Sequence, residues 1–243
     1  MWSIYKKEIA SFLSSLIGYV VIGVFLLILG LFMWVFPDYS ILDYHFATLD
    51  QLFEIAPIIF LFLIPAITMR SFAEEIQTGT IELLATRPLK EWEIVGGKFL
   101  AAWTLVAIAI LPTLFYYLTV YTLGSPAGNI DDGATIGSYI GLLLLGGVFV
   151  SVGIFSSSLT SNQIVSFIVS MFLCFFVYWA FFYLSKLPIF LGKTDSIIQM
   201  LGIEYHYQSI SRGIIDTRDI VYFFSVMAAF LLGTQTSLQR KRT

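Results

Sequence analysis

The sequence predicts an all-α integral membrane domain with six transmembrane helices, and three observations carry that expectation. First, 58% of the 243 residues are hydrophobic and only 12% charged, with a mean hydropathy of +0.88. Soluble domains carry roughly 25% charge and could not bury this much apolar surface. Second, the apolar residues lie in long uncharged runs, not in the short alternating segments of a membrane β-barrel. Third, the basic residues sort to one side of a six-span arrangement. The same figures exclude a nucleic-acid binder, since 13 basic against 16 acidic side chains leave no excess to meet phosphates. The single cysteine, Cys174, can build neither a disulfide framework nor a thiolate metal site.

Taken in order, residues 1–15 read as an interfacial amphipathic helix, with Trp2, Tyr5, Ile9, Phe12 and Leu13 on one stripe and Ser3, Lys6, Lys7 and Ser14 on the other. This helix either anchors the first span or transmits motion to it. A crossing needs about 20 apolar residues, and the spans are expected at about 16–36, 52–70, 97–123, 135–157, 163–186 and 219–238. The first apolar run is too long for a signal-peptide core and no A-x-A site follows, so it is read as a retained helix. The second span is the weakest, since it carries Pro57 and Pro65. The uncharged interval from Gly133 to Ser185 holds two spans, divided by the polar cluster Ser156 to Gln163.

Nine of the 13 basic residues, Lys6, Lys7, Arg70, Arg87, Lys90, Lys98, Arg240, Lys241 and Arg242, fall on one side. The first two loops of the other side carry Asp38, Asp43, Asp50, Glu54, Asp131 and Asp132 and no Lys or Arg. The positive-inside rule therefore places both termini in the cytoplasm. The loop 71–96 is then the only sizeable cytoplasmic surface. Within it Gly79 breaks the helix, Thr78 or Thr80 caps the next one, Ile81, Leu83 and Leu84 give that helix an apolar side, and Thr86 and Pro88 end it. A soluble partner could grip such an element; a solvated surface helix is the plainer alternative. The outward segment 187–218 is too short to cross and too apolar to be a free loop, which suggests short re-entrant helices forming an outer gate or a lid.

No catalytic constellation survives its geometry. The chain has no G-x-x-x-x-G-K-[ST], so it cannot cradle ATP itself, and no H-E-x-x-H. Its two histidines, His45 and His206, lie on the side opposite Ser156, Ser157 and Ser158, roughly 30 Å of hydrocarbon away. No metal site, cofactor or catalytic residue is expected. No span carries a charge near its centre, although ion-coupled transporters keep such charges at the midplane. Any work this chain does takes its energy from elsewhere.

Three places carry a resemblance to a known family. They are the E-E-x-x-T-G-T-x-E-L-L-x-T-x-P-L core that begins at Glu74 and closes on Gly96-Gly97-Lys98, the segment Ser157 to Gln163, and His206 with Ser211 to Asp219 and Tyr222-Phe-Phe. In these the chain resembles the ABC-2 type permeases, the membrane subunits of ABC exporters, and within them the GldF-like permeases associated with gliding motility.

The resemblance implies a type V exporter-like transmembrane domain whose coupling helix, about Gly79 to Thr86, seats in a separate ATPase. That ATPase would bind ATP and Mg. Carried over, Glu74, Glu75, Thr78, Gly79, Thr80, Glu82, Leu83, Leu84, Thr86 and Pro88 are coupling positions. Ser157, Ser161, Asn162 and Gln163 form a second cytoplasmic contact. His206, Arg212, Gly213, Asp216 and Asp219 belong to the outer gate or loop. Implied partners are a GldA-like ATPase, and a GldG-like membrane subunit or a second copy of this chain. The implied location is the bacterial inner membrane. A non-transporting anchor or mechanical scaffold for an ATPase is the alternative function.

Overall fold

In the computed structural model the described residues are 1–37, 39–42, 46–80, 90–190, 193–213 and 216–242. Eleven α-helices are described: α1 (Trp2–Ser14), α2 (Leu16–Trp34), α3 (Asp50–Thr68), α4 (Ala73–Gln77), α5 (Glu91–Ile110), α6 (Leu114–Leu123), α7 (Asp132–Leu159), α8 (Gln163–Ser185), α9 (Lys193–Gln199), α10 (Ile203–Ser211) and α11 (Thr217–Arg242). No strand occurs among them. Five helical stretches, Asp50–Gln77, Glu91–Leu123, Asp132–Leu159, Gln163–Ser185 and Thr217–Arg240, are long and apolar enough to cross a membrane. The bent pair of α1 and α2 makes a sixth if it is taken as one span. The chain is a multi-pass membrane protein.

α7 is the centre of the bundle, because 83% of its most apolar stretch is buried against 22% for α8 and 17% for α11. Its small residues explain this. A Cβ on Gly146 would meet the Val106 side chain at 2.7 Å, and one on Gly153 would collide with Thr68. Without side chains at these points, α5 and α3 close onto α7 and gain van der Waals contact that lipid tails cannot supply. α8 and α11 instead turn Phe172, Phe176, Val221, Phe224 and Leu232 outward, as surfaces facing lipid or another membrane chain require.

The prolines of the second span do not break it. α3 runs unbroken from Asp50 to Thr68 with both Pro57 and Pro65 inside. Pro57 has no N–H, so the carbonyl of Phe53, four residues earlier, loses its helical donor. The Tyr207 hydroxyl, from α10, donates to that carbonyl at 2.7 Å. Pro112 acts differently, since the chain tightens into a 3-10 turn over Leu111–Thr113 and continues as α6.

The N-terminal helix is rotated from its expected stripe. Ile4 is buried, while Trp2 and Leu13 are exposed, so the inward row is Ile4, Glu8 and Phe12, with Tyr5 and Ile9 half-buried beside it. The cause is α5: a Cβ on Gly97 would stand 3.0 Å from Ile4, and this bare stretch of α5 receives α1 more closely than any larger residue would allow. α1 ends at Ser15, which is extended and whose hydroxyl accepts from the Gly18 amide at 3.4 Å. The axis turns by 67° there, and Gly18 is pressed against the Phe12 carbonyl with no room for a side chain. Helix also begins earlier than expected after the loop, at Glu91, because Glu93 reaches back to the Lys90 amide at 3.1 Å and closes a cap.

Candidate functional site

At one end of the bundle three distant pieces of chain meet on one cation. The Lys98 side chain is 3% exposed. Its ammonium donates to Glu8 Oε1 at 2.9 Å, to Glu75 Oε1 at 2.8 Å and to the Ser71 carbonyl at 2.7 Å. An ammonium has three donors, and all three are used. The Phe72 ring lies 5.1 Å beneath it. Such a buried cation is tolerated because its partners compensate the lost hydration; removing any of them exposes that cost. Lys98 therefore ties α1, α4 and α5 together at the level of the turn after α3.

Ser157, on α7, holds the same turn from the opposite side. Its hydroxyl accepts from the Phe72 and Ala73 amides at 2.9 and 3.0 Å and donates to the Met69 carbonyl at 3.0 Å. These are orphan groups of the end of α3 and the start of α4. Ser157 is fully buried, so it supports the loop from within and is no surface for a partner. This corrects its expected place in a second contact. Ser161 and Asn162 are exposed and Gln163 is half-buried; Asn162 spends its Oδ1 capping α8 through the Ile164 and Val165 amides.

Beyond α4, Thr78, Gly79 and Thr80 are exposed. Thr78 donates to the Glu74 carbonyl at 2.8 Å, and the Thr78 and Thr80 hydroxyls lie 2.9 Å apart. Gly79 has φ +69° with nothing within 4 Å of where a Cβ would stand. Its conformation, not crowding, calls for glycine. Residues 81–89 lie outside the described residues, and with them Glu82, Leu83, Leu84, Thr86 and Pro88. Between α1, the end of α3 and α4 the structure leaves a half-open cleft of about 420 Å³ lined by Lys7, Phe12, Ile67, Arg70, Glu74 and Glu75, among others.

The opposite end is held by a smaller set. His206, on α10, stacks on Tyr222 of α11 with centroids 3.9 Å apart. Its Nδ1 lies 2.6 Å from Asp219 Oδ1 and its Nε2 2.8 Å from the Met200 carbonyl. Tyr222 donates to the Leu201 carbonyl at 2.6 Å. Gly213 has φ +84°, and a Cβ there would stand 2.8 Å from Ala134 Cα, so this turn closes directly on the start of α7. Asp216 caps α11 by accepting from the Arg218 amide at 2.9 Å, and Arg212 is exposed. Of the expected outer set, the structure brings the side chains of His206 and Asp219 into contact. His45 lies outside the described residues. Among the described residues no group of three His, Cys, Asp or Glu side chains could hold a metal ion.

Sequence reasoning missed Glu8. It stands between Ile4 and Phe12 at four-residue spacing, an acid in the middle of an apolar row, which is the pattern of a buried and paired charge. Tyr207 was also missed, although Pro57 announces an orphan carbonyl that some donor must serve.

The model of the ABC-2 family transporter proteins matches residues 45–201, well over half of the chain. The chain belongs to the ABC-2 family. None of the curated proteins matches it. The matched stretch contains Glu75, Lys98 and Ser157, whereas Glu8 and His206 lie to either side of it. ABC-2 membership makes the chain a membrane permease of the ABC exporter class, which implies an ABC ATPase as partner.

Proposed function

We propose that this ABC-2 protein is the permease subunit of an ATP-driven exporter and that the loop following α3 couples it to a separate ATPase on the cytoplasmic side. The observation that supports this most is the footing of that loop. Its last described residues before position 81, Thr78 to Thr80, are exposed, while its base is fixed to α1 and α5 by Lys98 and to α7 by Ser157. A push there is passed to four helices instead of being absorbed by a flexible loop. In this reading both termini are cytoplasmic, α2 completes a set of six crossings, and the chain lies in a bacterial inner membrane. ATP and Mg are bound by the partner, a GldA-like subunit, and a GldG-like subunit or a second copy of this chain completes the pore. Gliding motility or a linked secretion process is the cellular setting that the GldF-like features suggest. The helices α9 and α10 act as the outer gate or lid.

The test is purification from native membranes in mild detergent, followed by assay of ATP turnover in the complex. A stoichiometric soluble ATPase is expected. Gly79→Pro, which cannot adopt φ +69°, and Glu82→Arg are each expected to leave the chain in the membrane and to lower turnover by roughly tenfold, the scale of about 1.4 kcal/mol in coupling. Unchanged turnover in both variants removes the coupling role. Normal coupling with no substrate moved into sealed vesicles favours the scaffold alternative.

A further inference from the structure

We infer that the cleft beneath the N-terminal helix is a binding site for the headgroup of an ethanolamine phospholipid. The site rests on the reading that this end of the bundle faces a membrane surface, and on four observations of its walls.

The cleft, about 420 Å³, opens between α1, the end of α3 and α4. It carries both signs of charge, and although Lys98 is spent on Glu8 and Glu75, other charges on its walls are not paired among the described residues. Arg70 and Glu74 both line it, yet neither side chain has a partner among the described residues. Glu75 gives one carboxylate oxygen to Lys98, and the other is buried without a hydrogen-bond partner. Lys7 stands at the exposed rim, with only long contacts to Glu8 and Glu75 at 3.9 and 3.8 Å. An unmet guanidinium, a rim ammonium and two carboxylates with free acceptors call for a ligand with an anionic end and a cationic, hydrogen-donating end.

The remaining wall decides what kind of molecule bears those ends. Phe12 and Ile67 line the cleft and also line an apolar crease with Val21, Ile22 and Leu105. Phe12 and Ile67 thus form an apolar wall of the polar site beside α2, whose Leu16, Tyr19 and Val20 are exposed next to the bend between α1 and α2. An amphiphile with a phosphodiester and a primary ammonium fits this arrangement: the phosphate meets Arg70 and Lys7, the ammonium meets Glu74 and Glu75, and the glycerol and chains leave past Phe12 and Ile67. A choline headgroup has no N–H to give the carboxylates, and a glycerol headgroup offers them no positive charge.

The experiment is native mass spectrometry of the purified chain, with whatever subunit accompanies it, exchanged against phosphatidylethanolamine, phosphatidylcholine and phosphatidylglycerol of identical acyl chains. Retention of the ethanolamine lipid is expected to exceed both others by roughly tenfold, the effect of one charge-assisted hydrogen bond. Glu74→Gln should bring it down toward the choline lipid, and Arg70→Gln should lower all three. Both side chains are exposed, so the fold persists, which helicity by circular dichroism checks. Glycerophosphoethanolamine, the headgroup without chains, should compete only at far higher concentration. Equal retention of the three lipids, preference for the glycerol lipid, retention of a polypeptide in their place, or competition by the chainless headgroup at lipid concentration each overturns the assignment. Scoring the ATPase on the same samples separates the two readings, since loss of that subunit with the lipid preference intact counts against coupling alone.

Discussion

The two ends of the bundle are each closed by a buried charge, but they close different things. At the Lys98 end one ammonium joins residues 90 and 23 positions away in the chain, and it meets two carboxylates and a carbonyl. At the His206 end the imidazole joins a carboxylate only 13 positions away and is backed by a stack on Tyr222. The first holds separate helices in register; the second folds a local loop back on the span that follows it. The lesson is that the Lys98 end is tied by one charge shared among helices far apart in sequence, while at the His206 end the charged contact is local and the long-range ties are single neutral hydrogen bonds, from Tyr207 to the Phe53 carbonyl and from Ser138 to the Ser211 carbonyl.

The strongest way to break this comparison is Lys98→Met. It leaves the Glu8 and Glu75 carboxylates facing each other without their cation, and a loss of about 3–5 kcal/mol is expected, read as a lowered unfolding midpoint in detergent. Adding Glu8→Gln and Glu75→Gln to it should restore most of that loss, because a fully neutral site carries no unpaired charge. If the triple variant is no better than the single one, the buried charge is not what matters there. Next, Ser157→Ala deprives the Phe72 and Ala73 amides of their acceptor and the Met69 carbonyl of a donor, with an expected cost of about 1–3 kcal/mol. Asp219→Asn should cost less, about 1–2 kcal/mol, and should raise proteolysis within α9 and α10 without loosening the loop after α3. A loss as large as that of Lys98→Met would abolish the distinction between the ends.

The smallest effect sharpens the His206 end. Glu204 has one carboxylate oxygen buried without a partner among the described residues, and burial pushes its carboxyl above the usual range. With the folded value raised, the folded chain binds the proton more readily than the unfolded one, so this group destabilises the ionised fold and the effect fades as pH falls. Glu204→Gln should therefore raise the midpoint slightly at neutral pH, with the gain vanishing through the carboxylate range. A pH-independent gain would point to packing instead.

The helices were legible because the apolar runs are long and uncharged, and a run of that kind has one solution in lipid. The polar cluster at 156–163 marked the boundary between two spans, although α7 in fact runs on to Leu159 and buries Ser156, Ser157 and Ser158. Small hydroxyls satisfied by a helical carbonyl cost little inside a bundle, so polarity alone overstated the turn. The site was legible only in part. Glu75 and Lys98 were both seen, one as a loop acid and one as a count toward orientation, but nothing local says they touch. Glu8 meets the same ammonium, and in the sequence α2 and α3 separate it from Glu75. His206 and Asp219, which do touch, lie only 13 positions apart, so the local chain pattern already placed them near each other.

The hydrogen bond from Tyr207 to the Phe53 carbonyl spans 154 residues, and this bears on biogenesis. Synthesis runs from the N-terminus, so α3 enters the membrane long before the residue that completes it exists. Until then its proline-freed carbonyl, in the first turn of the helix, is best kept where headgroup water can serve it. The docking of α10 supplies the missing donor. The last short helix is thus also the step that completes the hydrogen bonding of α3.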